Sequence, residues 1–251
     1  MGNPILSEQM FKKSASISST TGTMTIGGTL TKTLLLLLMV IAGAAYTWKI
    51  YYEAINPQSI QTWMIGGVIV GFILALIISF KPNTAPVLSP IYAAAEGLFL
   101  GGISAMFNQS FAATAPNIVI NSVILTLLTA VIMFTVYRQG LIKVNGTFRK
   151  IMTISLITIM VFYLGSMILS FFGVNVSILH DSSPLSIGIS IVIVAVAAFS
   201  LLMDFDFIAK ASQAGAPKSM EWYGAFGLIV TLVWLYLEIL KLLAKFAGNK
   251  Q

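Results

Sequence analysis

The chain has 251 residues, of which 57% are hydrophobic and 9% charged, with a formal net charge of +6, one histidine and no cysteine. A soluble domain of this length carries about a quarter charged residues and only short apolar stretches, so the composition predicts an integral membrane protein. Without cysteine, disulfides, thiolate catalysis and cysteine-held zinc or iron–sulfur centres are excluded.

The N-terminal stretch "MGNPILSEQMFKKSASISSTTGTMTIGGTLTK" is rich in Ser, Thr and Gly. It predicts a flexible cytoplasmic tail, residues 1–30, ahead of a transmembrane domain at residues 31–247. No cleavable leader is expected, because "LLLLLMVIAGAAY" starts after residue 30 and runs directly into a full span. Leu6 stands where N-myristoylation would need Ser or Thr.

About 20 apolar residues cross the hydrocarbon as a helix, and such runs are predicted near residues 33–52, 62–80, 88–107, 118–137, 151–172, 185–208 and 222–244. The breakers "NPQS", "KPNTAP", "TAPN", "VNG" and "AGAP" separate them, together with the polar stretch at 181–184 that ends in Pro184. The strand alternation of a membrane barrel is absent, so the fold class is all-α with seven transmembrane helices. "GVIVG" at 67–71 and "GLFLG" at 97–101 are patterns that let helix backbones approach closely. Trp48, Trp63 and Trp222, near span ends, read as interfacial anchors, and Trp234 as packing inside a span.

Lys and Arg set the orientation. With the N-terminus cytoplasmic, Lys12, Lys13, Lys32, Lys81, Arg138, Lys143, Arg149, Lys150, Lys210 and Lys218 lie inside, against Lys49, Lys241, Lys245 and Lys250 outside. This bias predicts N-in and C-out. The positive charge is a topology signal and a contact surface for anionic lipid, with no motif for nucleic acid beside it.

The acids are the unusual residues, since burying a carboxylate at the bilayer centre costs about 3 kcal/mol even on mild scales. Asp204 and Asp206 end the sixth span in "FSLLMDFDFIAK", Glu96 lies midway along the third, and Glu238 well into the seventh. Two residues apart on a helix point about 200° from each other, so one of the pair is expected to face inward while the other snorkels. Such acids face the bundle interior, pair with one another or with backbone, and mark ion or proton routes. The competing reading gives them structural roles, with Glu238 paired to Lys241 three residues on and Glu96 hydrogen-bonded across a helix contact. His180 reads as a solvated loop side chain. No catalytic motif and no metal-ligand set is present, so no enzyme activity and no cofactor are expected.

"SPIYAAAEGLFLGGIS", "MDFDFIAKASQAGAPKSMEWYGAFGLIVTLVWLYLEILKLL" and the seven-span layout closely resemble the bacterial branch of the Bax inhibitor-1, or transmembrane Bax inhibitor motif, family. The resemblance covers about residues 30–245. It implies a bacterial inner-membrane protein with its last helix central in a six-helix surround. It also implies a pH-sensitive cation leak, calcium being the transported ion, governed by an acid pair. Asp204 matches the family acid on the sixth helix, and Glu238, in "LYLEIL", the one on the seventh. The resemblance thereby favours Asp204 as the inward acid of its pair and Asp206 as the snorkelling one. Phe205 and Asp206 replace the family's Thr and Gln, and Glu replaces Asp on the last helix. If the turn centres on Gly215–Pro217, hairpin arithmetic sets Asp204 and Glu238 about 12 Å apart in depth. A late start of the seventh helix, near Gly224–Gly227, would bring them level. The expected ion-pathway residues are therefore Asp204, Glu238, Glu96 and Asp206. The alternative implied by the family is a non-conducting regulator of a membrane-bound ATP-dependent protease or of a stress response, with the tail as the part engaged.

Overall fold

The computed structural model describes residues 22–53, 58–174, 176 and 181–249; His180 and most of the expected tail fall outside them. Among the described residues seven long helices follow one another: α1 (Ile26–Glu53), α2 (Gln58–Phe80), α3 (Ala85–Ser110), α4 (Ile118–Arg138), α5 (Gly146–Phe171), α6 (Pro184–Gln213) and α7 (Met220–Gly248). A 3-10 turn, Pro82–Thr84, precedes α3. All seven are long and apolar enough to cross a membrane, and no strand occurs among the described residues. The chain is thus an all-α, multi-pass membrane protein.

Every predicted span is found, and every helix overruns its apolar run at one end or both. At two of these ends a side-chain cap holds the added residues helical. Asn145 caps α5, its side chain accepting from Phe148 N–H at 2.8 Å. Ser183 accepts from Ser186 N–H at 3.3 Å, with Pro184 pre-set at the first helical position of α6. α1 gains the most, starting at Ile26 rather than 33, because residues 22–25 are anchored elsewhere in the fold.

The chain divides into two compact units. The first contains the described residues from 22 to Gln109 and Asp204–Val230, so it holds α1, α2, α3, the end of α6 and the start of α7. The second contains Ser110–Met203 and the chain from Thr231, so it holds α4, α5 and the remainder of α6 and α7. α7 is the most buried helix, 56% of its apolar window against none of that of α5. That burial suits a helix enclosed by others.

Many large aliphatics face outward, and small or hydroxylated residues share the buried faces with apolar ones. On α1 the buried stripe is Thr29, Thr33, Leu36, Val40 and Thr47, while Leu34, Leu38 and Ile41 are exposed. On α2 it is Ile60, Gly67, Gly71 and Ile78. Inward hydroxyls bond to carbonyls four residues back in their own helices, as Thr33 to Thr29, Ser122 to Ile118 and Thr126 to Ser122 do at 2.7–2.9 Å. The hydroxyls are thereby satisfied without water.

In the first unit the glycine patterns work as backbone contacts. A Cβ on Gly67 would stand 2.6 Å from the Ala95 carbonyl oxygen, and one on Gly43 2.6 Å from that of Ala94. Gly97 and Gly101 press on the Val40 and Ala44 carbonyls of α1 in the same way. α3 therefore meets α1 and α2 backbone to backbone. Gly97→Ala and Gly43→Ala are expected to lose about 1–3 kcal/mol by overpacking. Gly66→Ala, whose Cβ meets nothing within 4 Å, should be neutral or slightly stabilising. Thermal unfolding of the purified variants in one detergent checks the ranking.

Candidate functional site: buried carboxylates and their partners

Eight acids occur in the chain, and four of them, Asp204, Asp206, Glu221 and Glu238, are buried within spanning helices. The first two are carried by α6 and the other two by α7.

Glu96 lies on α3 in the first unit and is half-buried. It hydrogen-bonds with Tyr92 one turn earlier, and its carboxyl rests against Gly71 of α2, where a Cβ would stand 3.1 Å from Oε1. The absent side chain at Gly71 makes room for the acid. Tyr92 is itself buried, its ring 4.9 Å from Phe226 of α7 in an edge-to-face contact.

Asp204 is fully buried and Asp206 is 7% exposed. The expected division, one inward and one snorkelling, is corrected: residues 200–206 of α6 are buried on all sides, so the 200° separation leads to two enclosed positions. The group that reaches outward is Lys210, one turn on. Its ammonium donates to Asp206 Oδ2 at 2.8 Å while its side chain is 51% exposed. A long aliphatic stem carries the counter-charge to the surface where the short aspartate cannot.

Glu238 belongs to the second unit and is 2% exposed. The Tyr163 hydroxyl of α5 lies 3.0 Å from both carboxylate oxygens. Lys241 donates to Oε1 at 3.0 Å and also lies 4.9 Å from the centre of the Tyr163 ring. Acid, phenol and ammonium form a closed triad, so the predicted Glu238–Lys241 contact exists. α7 begins at Met220, earlier than the late start near Gly224–Gly227 considered from the sequence.

Two buried charges lie outside the expected set. Glu221, in the first turn of α7, is fully enclosed and accepts from four donors. Lys218 reaches Oε1 at 2.7 Å, Thr25 gives it both its backbone N–H and its hydroxyl at 2.9 Å, and Lys32 of α1 pairs with Oε2. Lys32 also lies 5.5 Å from the ring centre of Trp222. The local signal was Lys218 three residues before Glu221; Thr25 and Lys32, 196 and 189 residues away, had none. In the second unit Lys245, 7% exposed, donates to the hydroxyls of Ser186 at 2.7 Å and Ser190 at 2.8 Å. Nearby, outside the spans, the Ser183 hydroxyl bonds Asp181 at 2.9 Å and holds its carboxyl below the usual aspartate range. The sequence carried a signal for Lys245: Ser186 and Ser190 are one turn apart, and Glu238, Lys241 and Lys245 share one face of α7.

Among the described residues no group of three or more His, Asp or Glu side chains is gathered as a metal site. What the arrangement offers is carboxylates in low dielectric, of which Glu96, Asp206, Glu221 and Glu238 lie next to a proton donor or a cation.

The expected energetic consequence is a ranking. Glu221→Ala strands two ammonium groups and a backbone N–H and should cost about 3 kcal/mol, as when one partner leaves a buried pair. Asp206→Asn should cost under about 1 kcal/mol, since half-exposed Lys210 regains water. Thermal denaturation in the same detergent would show both.

The model of the family described as Bax inhibitor 1 like matches residues 3–248. No curated protein and no solved structure matches the chain.

Proposed function

The chain belongs to the Bax inhibitor-1-like family, and from that membership together with its buried acids we propose that it is a pH-sensitive cation leak, with calcium as the transported ion. The observation that carries the reading is the enclosure of Asp204, Asp206 and Glu238 in spanning helices, together with half-buried Glu96 on α3. Carboxylates are costly there, and route-lining is the commonest role that offsets the cost. Calcium takes about 6–8 oxygen ligands, so a few acids with carbonyls and water favour weak transit over storage. Proton exchange at the same oxygens would remove the attraction for a cation and supply the pH response. The reading assigns no catalytic step and no resident cofactor. It places the protein in a bacterial inner membrane with the N-terminus cytoplasmic, on the Lys and Arg distribution.

A second reading, a non-conducting regulator of a membrane-bound ATP-dependent protease or of a stress response, draws on a different observation. Glu238 and Asp206 each have a lysine within 3.0 Å. A compensated acid can be purely structural.

Calcium flux into proteoliposomes, measured over a pH series, separates the two. The leak predicts pH-dependent flux that drops about tenfold in Asp204→Asn and in Glu238→Gln, with a flattened pH profile. Flux no greater than in empty vesicles at every pH would leave only the regulator. In that case removing residues 1–21, upstream of the anchored segment, should abolish regulation in cells.

A further inference from the structure

Residues 22–25 do not hang from α1. They lie antiparallel to the turn that joins α6 to α7, with Thr23 opposite Pro217. Met24 N–H donates to the Ala216 carbonyl at 2.7 Å, and Lys218 N–H to that of Gly22 at 3.1 Å. The Ser212 hydroxyl donates to the Met24 carbonyl at 3.1 Å. The turn is shaped for this pairing. Gly215 takes φ +68° just beyond the end of α6, and Ala216 N–H reaches back to the Ala211 carbonyl, a helix stop that fixes the direction of residues 216–218.

Two side chains fasten the segment. Met24 is 1% exposed and meets the bare backbone of Gly224, where Thr29 of α1 and Ile208 of α6 converge as well. Thr25 gives both of its donors to Glu221, whose other oxygen holds Lys32 of α1. One buried carboxylate thus ties together the segment, α1 and the first turn of α7.

Its place on α6 gives the contact meaning. Asp204, Ile208 and Ser212 are four residues apart in succession and share one face of the helix. Ile208 converges with Met24 on Gly224 and Ser212 bonds the Met24 carbonyl, so the segment covers the end of the face that carries Asp204. We propose that residues 22–25 form a releasable strap, buckled by Glu221, that closes the α6–α7 end of the first unit over the Asp204 face. This rests on the cation-leak reading and adds its control: docked, the strap holds the end of α6 shut; undocked, it opens it. The strap suits release, since it is short, extended, and held by a few hydrogen bonds and one buried thioether. Anything that pulls on the chain before residue 22 would act on it directly.

The native absence of cysteine allows a clean test. The Thr23–Pro217 pair is of the non-hydrogen-bonded antiparallel kind, with Cα atoms about 4.5 Å apart, within disulfide reach. In the full-length Thr23→Cys/Pro217→Cys chain, oxidation should lower calcium flux in proteoliposomes about tenfold, and reductant should restore it. Glu221→Gln should move flux in the opposite direction by a similar factor. Equal flux in the oxidised and reduced chains, with wild type conducting, overturns the strap while sparing the leak. Should wild type not conduct at all, the leak reading falls, and hydrogen exchange decides the strap. Oxidation must then slow the amides of residues 204–213 and Glu221→Gln hasten them; unchanged exchange there overturns it.

Discussion

A carboxylate taken out of water inside a bundle of apolar helices must be met by a proton, a cation or several hydrogen-bond donors, and much of this fold consists of those arrangements. Glu221 takes two ammonium groups and two donors from Thr25; Glu238 takes a phenol and an ammonium; Asp206 takes the reach of Lys210; Glu96 takes Tyr92. The solutions differ with location. Glu221, with side-chain exposure near zero, has partners from three parts of the chain, whereas the lysine that pairs with Asp206 is a neighbour one turn away that touches the surface.

The glycines carry the other half of the construction. Lipid tails are as apolar as leucine, so burying leucine between helices brings little gain, and close backbone packing takes its place. α3 concentrates this packing, with Gly97 and Gly101 on α1 and the Ala95 carbonyl on Gly67 of α2. The same device serves chemistry at Gly71 and Gly224. The first leaves space for the Glu96 carboxyl, and the second lets α1, α6 and the strap converge on α7. Small residues here set how close polar groups can lie as well as how close helices can.

Most of the architecture was legible from the chain itself. Hydropathy length found seven spans, and the spaced glycines marked the tight contacts, because both signals are local. Helix ends were less legible: Asn145 and Ser183 are caps whose polar flanks dilute an apolar window. Of the site, Glu96, Asp204, Asp206 and Glu238 announced themselves as acids in apolar runs. Glu221 did not, since "SMEWY" reads as a polar flank and the groups that enclose it come from 189 to 196 residues away. The snorkelling expected of Asp206 failed for a related reason. A helical-wheel angle describes one helix, while enclosure on all sides is a property of its neighbours.

α7 shows which of these charges need a functional account. A helix has a partial positive charge at its N-terminus and a partial negative charge at its C-terminus, and both are costly in low dielectric. Glu221 stands in the first turn and Lys245 in the last, each with the sign that compensates its end. Their burial therefore follows from keeping a long helix intact in a medium with little water, and Lys245 with Ser186 and Ser190 needs no further explanation. Glu238 stands about five turns in, where the dipole offers a carboxylate nothing. Apolar residues at that position would serve the helix better. Tyr163 and Lys241 offset the cost of the acid without accounting for its presence, so helix-end electrostatics explains Glu221 and Lys245 and leaves Glu238 unexplained.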